Sequence, residues 1–525
     1  MQETITVEQL RGKIVQLCRS GQLAKAIELL TVLAARGQLD YPCLYTVVDT
    51  ALAGDNARAV TFLVQSVARQ RKGDWQAWEL RYKLCRAKAH WSEVLVTLKK
   101  IQKLASTPMA WVWLAKAEAF ERLLRPQEAM LALDEMAAME SVTLNSRYWY
   151  MRAATLLQLK ERQAVIDTIA PALESMPEDQ YVASAWKVVG KALDTEGSYE
   201  AAFTAFKKAN DILAKGQNIA ENPLRRRIEV YRALYNKEWV AEWNEYPADE
   251  EPVFLVGFPR SGTTLLEQVL DAHKDIQTLE EPPTMAGVMR ELAPWLNAMA
   301  LKDGAMSASQ NWKQQWLAGF RYMSRLSESQ INLLRNTYFQ VVDERLQRVG
   351  RKRLIDKMPL NSVEIGLILR LFPNAKFIVA VRHPCDSVLS GYMQPFQINE
   401  SMANFVNLEA GATLYKNVMH LLWQYEEVFG LGGRIHTIRY EDIVADLEGE
   451  ASKLLAFLGL KWDESVLSFD QHARQRKTLA TPSYHGVTQQ IYRSSVERWR
   501  HYSQWLEPVL PHFREAAERY GYDLA

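Results

Sequence analysis

The sequence predicts a chain in two parts, α followed by α/β. A helical-repeat superhelix occupies 1–215, a linker helix 216–251, and a phosphate-loop-type α/β domain with a central parallel sheet 252–525. Three observations predict this. A short phrase built around a small residue recurs every 33–37 residues through the first half, and tryptophans stand in register with its last four copies. At Pro252 the pattern changes to a β-branched apolar run, a loop with two glycines and an amphipathic stretch, which reads as strand, turn and helix.

Composition narrows the function classes. Of 525 residues, 48% are hydrophobic and 24% charged, which fits a soluble globular chain and excludes disorder or a membrane bundle. Lys+Arg is 63 and Asp+Glu 62, so the net charge is 63 − 62 = +1. Bulk electrostatic attraction to nucleic acid or to an acidic membrane is therefore not expected, whereas a local basic pocket remains open. The four cysteines, Cys18, Cys43, Cys85 and Cys385, have neither zinc-site nor disulfide-scaffold spacing and point to a reducing, cytoplasmic setting. The N-terminal stretch lacks the basic and apolar regions of a signal peptide, and no apolar run approaches about 18 residues, so neither leader nor anchor is expected.

The repeated phrases are GQLAKA (21–26), GDNARA (54–59), AHWSEV (89–94), LRPQEA (124–129), KERQAV (160–165) and GSYEAA (197–202). Their last residues, Ala26, Ala59, Val94, Ala129, Val165 and Ala202, let paired helices approach closely. One turn later come Leu30, Leu63, Leu98, Leu133, Ile169 and Phe206. Sixteen residues before the last four small residues stand Trp78, Trp113, Trp149 and Trp186, read as core wedges rather than ligand platforms. This pattern resembles the tetratricopeptide repeat family, best in the unit holding Trp186, Gly190, Ala202, Phe206 and Ala209. The resemblance implies a concave face open to a peptide or protein partner. In the linker, the Arg225–Arg227 run reads as a solvated helix face.

The second half carries the chemistry. PVFLVGF is a buried parallel strand, and GFPRSGTTLLEQVL follows it. Gly257 and Gly262 have phosphate-loop spacing, with Thr263 where that motif has its lysine. Backbone N–H groups and the positive end of the helix suit an anion. Without the lysine, triphosphate chemistry is disfavoured, and Arg260 is the loop's fixed cation. A second strand, KFIVAV, runs into RHPCDSVLSGY, with Arg382 and Ser390 eight residues apart.

PRSGTTLLEQVL and RHPCDSVLSGY together resemble the two nucleotide motifs of sulfotransferases that use 3′-phosphoadenosine-5′-phosphosulfate (PAPS). LFPNAKF (371–377) and DKMP (356–359) are similar to segments of the tyrosylprotein sulfotransferase type. The resemblance implies Glu281 as catalytic base, with Arg260, Lys357 and Ser483 as further catalytic residues. It implies PAPS contacts from Arg260, Ser261, Gly262, Thr263, Thr264, Arg382, Ser390, Tyr440 and Arg498. PAPS would be the co-substrate and 3′-phosphoadenosine-5′-phosphate (PAP) the product. Gln394 stands where those relatives carry a further arginine, which puts one 3′-phosphate contact in doubt. Those relatives are often anchored and disulfide-bonded, unlike the expectation for this chain.

Sulfuryl transfer needs a base, cations on the moving group and a donor to the leaving oxygen. A carboxylate of pKa about 4.3 is a weak base for a phenol near about 10, so Glu281 would take the proton during transfer. Glu281 is placed in the loop after the first βα unit, and Glu280 beside it is the lesser candidate, because adjacent residues point apart. His273 and His383 read as local structure, and no His/Cys/Asp cluster has metal-ligand spacing. The acceptor hydroxyl is left among a peptide tyrosine, a saccharide and a small phenol. Two alternatives stand beside this reading. One is an ATP-using phosphate-loop kinase with Asp356 on Mg²⁺; the other is a non-catalytic scaffold with a degenerate nucleotide site. A homo-oligomer is also left open.

Overall fold

The computed structural model describes residues 6–35, 40–54, 56–140, 142–307, 309–350, 352–475 and 495–525. Chain contacts divide the protein into two compact units, Met1–Glu196 and Gly197–Ala525.

The first unit is a succession of helices, from Val7–Arg19 to Gln180–Thr195, joined by short turns. The phrases read in the sequence mark those turns. Gly21, Ala89, Leu124, Lys160 and Gly197, the first residues of five phrases, all have left-handed backbone with φ of 72°, 53°, 58°, 64° and 79°. A residue of this kind ends one helix and redirects the chain into the next. Polar side chains tie helices one repeat apart: Tyr45 donates to Glu79 at 2.6 Å, Lys83 pairs with Asp49 at 2.8 Å, and Arg86 pairs with Glu118 at 2.8 Å.

The small positions are buried as expected at Ala26, Val94, Ala129 and Val165, each 0% exposed. The second repeat differs by one residue. Val60 and Val64 are fully buried there in place of Ala59 and Leu63, and Gly54 has an ordinary φ of −87°. Counted from Val60, the first two spacings become 34 and 34. The tryptophans also need correction. Trp186 is buried, but Trp78, Trp113 and Trp149 are half-buried at the rims of their clusters. The preceding residues, Ala77, Val112 and Tyr148, take the core positions. The exposed indole faces carry cations instead, as where Lys116 Nζ lies 4.3 Å above Trp113.

The second unit begins earlier than the expected domain start. The helix Tyr199–Ala214 belongs to it because Phe203 stacks on Trp505 at 4.3 Å and Asn210 donates to the Tyr392 carbonyl at 3.0 Å. The expected linker helix, Pro223–Leu234, is likewise built into this unit, and its arginines are not a solvated face. Arg225 donates to Asn404 Oδ1 at 2.6 Å and to the Ala410 carbonyl at 2.7 Å. Arg226 lies 4.6 Å over Trp312, and Arg227 reaches Glu400 at 2.7 Å and Glu364 at 3.4 Å. The planar guanidinium satisfies buried acceptors that an ammonium would reach one at a time. Beside them an aromatic column, Phe320–Tyr231–Tyr235–Trp239–Trp243, holds ring centroids 5.1–5.5 Å apart.

Behind this layer runs a five-stranded parallel sheet: β1 Val253–Gly257, β2 Ile276–Glu280, β3 Arg353–Lys357, β4 Lys376–Val381 and β5 Ile435–Arg439, in the order β2-β3-β1-β4-β5. On one face Val253, Leu255, Ile355, Ile378 and Ala380 pack with the helix Thr263–Asp271. On the other, Phe254 packs with Tyr338, Phe372 and Phe377 at 5.9–6.2 Å. The order reverses beside β1, so the loops leaving the C-terminal ends of β1, β3 and β4 converge where such sheets bind ligands. Replacing Arg227 with Met leaves buried Glu364 without its cation. This should cost about 3 kcal/mol, read as a lower urea midpoint for the second unit, and adding Glu364→Gln should recover part of the loss.

Candidate active site

The loop after β1 is shaped by two backbone crossings. A Cβ on Gly257 would lie 2.4 Å from the Ala380 carbonyl oxygen, so β1 and β4 can pair this closely only around glycine. Gly262 has φ 92°, and a Cβ there would lie 2.6 Å from the Tyr440 ring. Gly262 also caps the helix Thr263–Asp271 without a side-chain hydrogen bond, leaving first-turn N–H groups available to an anion. Ser261, Thr263 and Thr264 are buried beside it. Ser261 Oγ has no hydrogen-bond partner among the described residues, so this loop retains an unused donor that fits a phosphosulfate.

Strand register assembles the next group. Glu280 of β2, Lys357 of β3 and Leu255 of β1 are level across the sheet. Lys357 is 0% exposed, and its Nζ lies 3.0 Å from Glu281, 3.2 Å from Glu267 and 3.8 Å from Glu280. Burial works against the ammonium, but the carboxylates of Glu267, Glu281 and Glu280 outweigh it and hold its pKa above the ordinary lysine value. Glu280 and Glu281 do not point apart as expected. Glu281 leaves the strand with φ 42°, its N–H bonded to the Lys357 carbonyl at 2.8 Å, and this turn folds its side chain back toward the same ammonium.

The second motif closes the other side. Val381 of β4 is level with Arg439 of β5, so Arg382 and Tyr440 leave the sheet side by side, the guanidinium 5.0 Å over the ring. Arg382 donates to the carbonyl of Arg260 at 3.2 Å and to that of Ser495, and its Nε has no partner among the described residues. Arg260 Nε in turn donates to Ser390 Oγ at 3.1 Å. Buried Asp386 accepts the N–H groups of Glu497 and Trp499, both at 2.9 Å, which ties the segment bearing Arg498 to this motif. His383 stacks on Trp499 at 4.9 Å and bonds the Asp523 carbonyl, a local role. His273 accepts from the Asp275 N–H, so its other nitrogen donates to the Lys461 carbonyl.

The structure thus brings together Arg260, Arg382, Ser390 and Tyr440 around the loop, and Lys357 with Glu281 at the neighbouring strand ends. Gln394 ends the helix Pro384–Met393, half-buried. Ser483 lies outside the described residues. Sequence reasoning missed two acids, Glu267 and Asp386, although each falls among apolar neighbours on a helix face turned to the core. Asp356, the proposed magnesium ligand of the kinase alternative, faces the aromatic side of the sheet. It is fully buried and accepts from Thr284 at 2.8 Å and Tyr338 at 2.9 Å, away from Lys357 and the loop.

An α/β unit with this loop, this second motif and a lysine at the end of β3 has the layout of a phosphate-loop-type fold. Residues 252–464, within the second unit, match the model of the sulfotransferase family. The chain is 27% identical over 340 residues to an uncharacterised protein of Aquifex aeolicus, covering 64% of this chain and 42% of that one. It is 26% identical over 251 residues to a protein-tyrosine sulfotransferase of Drosophila melanogaster, covering 47% and 44%. The chain therefore spans less than half the length of either relative. The sulfotransferase domain of a Synechococcus olefin synthase superposes with a TM-score of 0.35 at 20% identity, over 54% of this chain and 99% of that one.

Asp356 gives a pH test. Burial raises its carboxyl to about 7, against the pull of Thr284, Tyr338 and Lys357. The native state therefore keeps a proton that the unfolded chain, near about 3.9, has already lost. Stability should fall as pH rises between roughly 4 and 7, then level off. Asp356→Asn removes the titration, so its melting temperature relative to the parent should rise from pH 4.5 to pH 7.5.

Proposed function

We propose that the second unit moves a sulfuryl group from PAPS to an acceptor hydroxyl, with Glu281 as base. One observation carries this reading most directly: the 3.0 Å contact of Glu281 with the Lys357 ammonium, at the strand ends beside an anion-shaped loop. When bound, the co-substrate supplies the sulfuryl group and a leaving phosphate oxygen on which charge develops. The loop N–H groups and Ser261 hold its 5′ end, and Arg260 balances charge on the sulfuryl oxygens. Lys357 would stabilise the charge that develops on the leaving oxygen. Arg382, Ser390 and Tyr440 take the 3′-phosphate side, joined by Arg498. Glu281, 38% exposed in its side chain, receives the acceptor proton as transfer proceeds.

A peptide tyrosine is the first acceptor to try, since the Drosophila relative is named for that activity, with saccharides and small phenols next. The array of the first unit, similar to tetratricopeptide repeats, would then hold a peptide or protein partner. A cytoplasmic setting fits four free, buried cysteines. No helix of the described residues is long and apolar enough to cross a membrane.

Three measurements test the reading. With EDTA present, PAP should raise the melting temperature of the pure protein; stabilisation by ATP alone, and only after Mg²⁺ is restored, would overturn it in favour of the kinase. Glu281→Gln should cut turnover by at least about 100-fold with PAP affinity nearly unchanged. Arg382→Ala should weaken PAP by about 10–100-fold and adenosine 5′-phosphate far less. Equal weakening of both ligands contradicts the 3′-phosphate assignment.

A further inference from the structure

Lys357 is an unusual group to bury. Its ammonium is 0% exposed, and the carboxylate that meets it deepest in the unit, Glu267, is 0% exposed as well. Glu267 projects from the helix that begins at the phosphate loop, among Leu266, Val269 and Leu270 of the apolar core. Thr278 Oγ1 lies 3.2 Å from Glu267 Oε1 and 2.8 Å from Asp271 Oδ1, and Asp271 Oδ2 meets His472 Nε2 at 2.7 Å. The carboxylate is thus held by a polar chain through the core. A buried ion pair is weak evidence for stability, since an apolar pair of similar volume often does as well. Its presence here calls for another account.

The three carboxylates around Lys357 are not equivalent. Glu281 is 38% exposed and Glu280 15%, so these two face the cleft, while Glu267 lies entirely beneath the ammonium. Once Glu281 takes a proton its charge is gone. Without Glu267, Lys357 would keep only the 3.8 Å contact to Glu280. Asp356, the neighbour on β3, is turned to the other face with Thr284 and Tyr338. We propose that Glu267 is a positioning residue for sulfuryl transfer: from beneath, it holds Lys357 in place and charged, which frees Glu281 to part from the ammonium and accept the proton. The proposal rests on the sulfotransferase reading.

The test follows Lys357 itself. The ligand-free protein is prepared with lysine carrying ¹³C at Cε, and the Lys357 signal is assigned through Lys357→Arg. In the parent the signal should stay constant from pH 7 to pH 11. In Glu267→Gln its titration should begin about 1–3 pH units lower than in the parent. PAP affinity, measured by calorimetry, should stay within about threefold of the parent at pH 7.5 and fall about tenfold per pH unit once Lys357 begins to lose its proton. An unchanged Lys357 titration, or PAP binding reduced equally at every pH, overturns the positioning role. Should Glu267→Gln fail to fold by circular dichroism, Glu267→Asp carries the test: it draws the carboxylate back by one methylene and should lower the onset part-way, and no lowering overturns the proposal. Failure of the parent to bind PAP would instead defeat the sulfotransferase reading, leaving the lysine titration to judge Glu267 by itself.

Discussion

A single buried ammonium governs the arrangement at the sheet's C-terminal edge. Lys357 ends β3 with no exposure, and an isolated ion there would cost several kcal/mol. Every neighbouring element supplies part of the compensation: Glu280 the end of β2, Glu281 the turn after it, and Glu267 the helix from the β1 loop. The parallel register that makes Glu280 level with Lys357 is therefore as necessary to the site as the loop sequence is. A one-residue slip between β2 and β3 would turn Glu280 to the aromatic face and take one of the three carboxylates away from the ammonium.

The same logic operates on the other side of β1. Arg382 is anchored by two backbone carbonyls and by Asp386 at 3.7 Å, while Asp386 accepts from the segment that carries Arg498. Strain collects at these joints. Among the described residues of the second unit, the non-glycine residues with positive φ are Arg260, Glu281 and Glu497, each at about 1–2 kcal/mol. All three border the candidate site, and each turns a backbone group or side chain that regular structure would aim elsewhere.

Much of this was readable in the sequence, because the decisive features are local. The phosphate-loop spacing, the strand runs and the repeated phrases depend on near neighbours, and they placed Arg260 in the loop after one strand and Lys357 and Arg382 at the ends of two others. What escaped was tertiary. Arg225–Arg227 read as a solvated face because helix periodicity cannot reveal that the loop holding Glu400 and Asn404 covers it. Glu280 and Glu281 read as divergent because adjacent residues ordinarily point apart, and the change of sign in φ at Glu281 is not visible in the sequence. The repeat slipped at Val60 because a small residue was followed rather than the buried face of the helix. The tryptophans misled in a similar way: an indole at a regular interval marks a repeat, but its size suits the rim as well as the core.

The missing lysine of the loop can now be understood in structural terms. In a triphosphate loop the cation sits on the loop itself, so its position and that of the helix are fixed together. Here Thr263 occupies that place and is buried, and the cation comes instead from the end of β3. A lysine borne by another strand could drift relative to the loop. Glu267 removes that freedom, since it lies one turn into the loop's own helix and grips Lys357 Nζ at 3.2 Å. The helix thus still dictates where the positive charge stands, through an ion pair instead of a covalent side chain. The exchange has a chemical consequence. A cation brought in from β3 touches Glu281, the proposed base, which leaves β2 beside it, so charge balance and proton acceptance would be parts of one cluster.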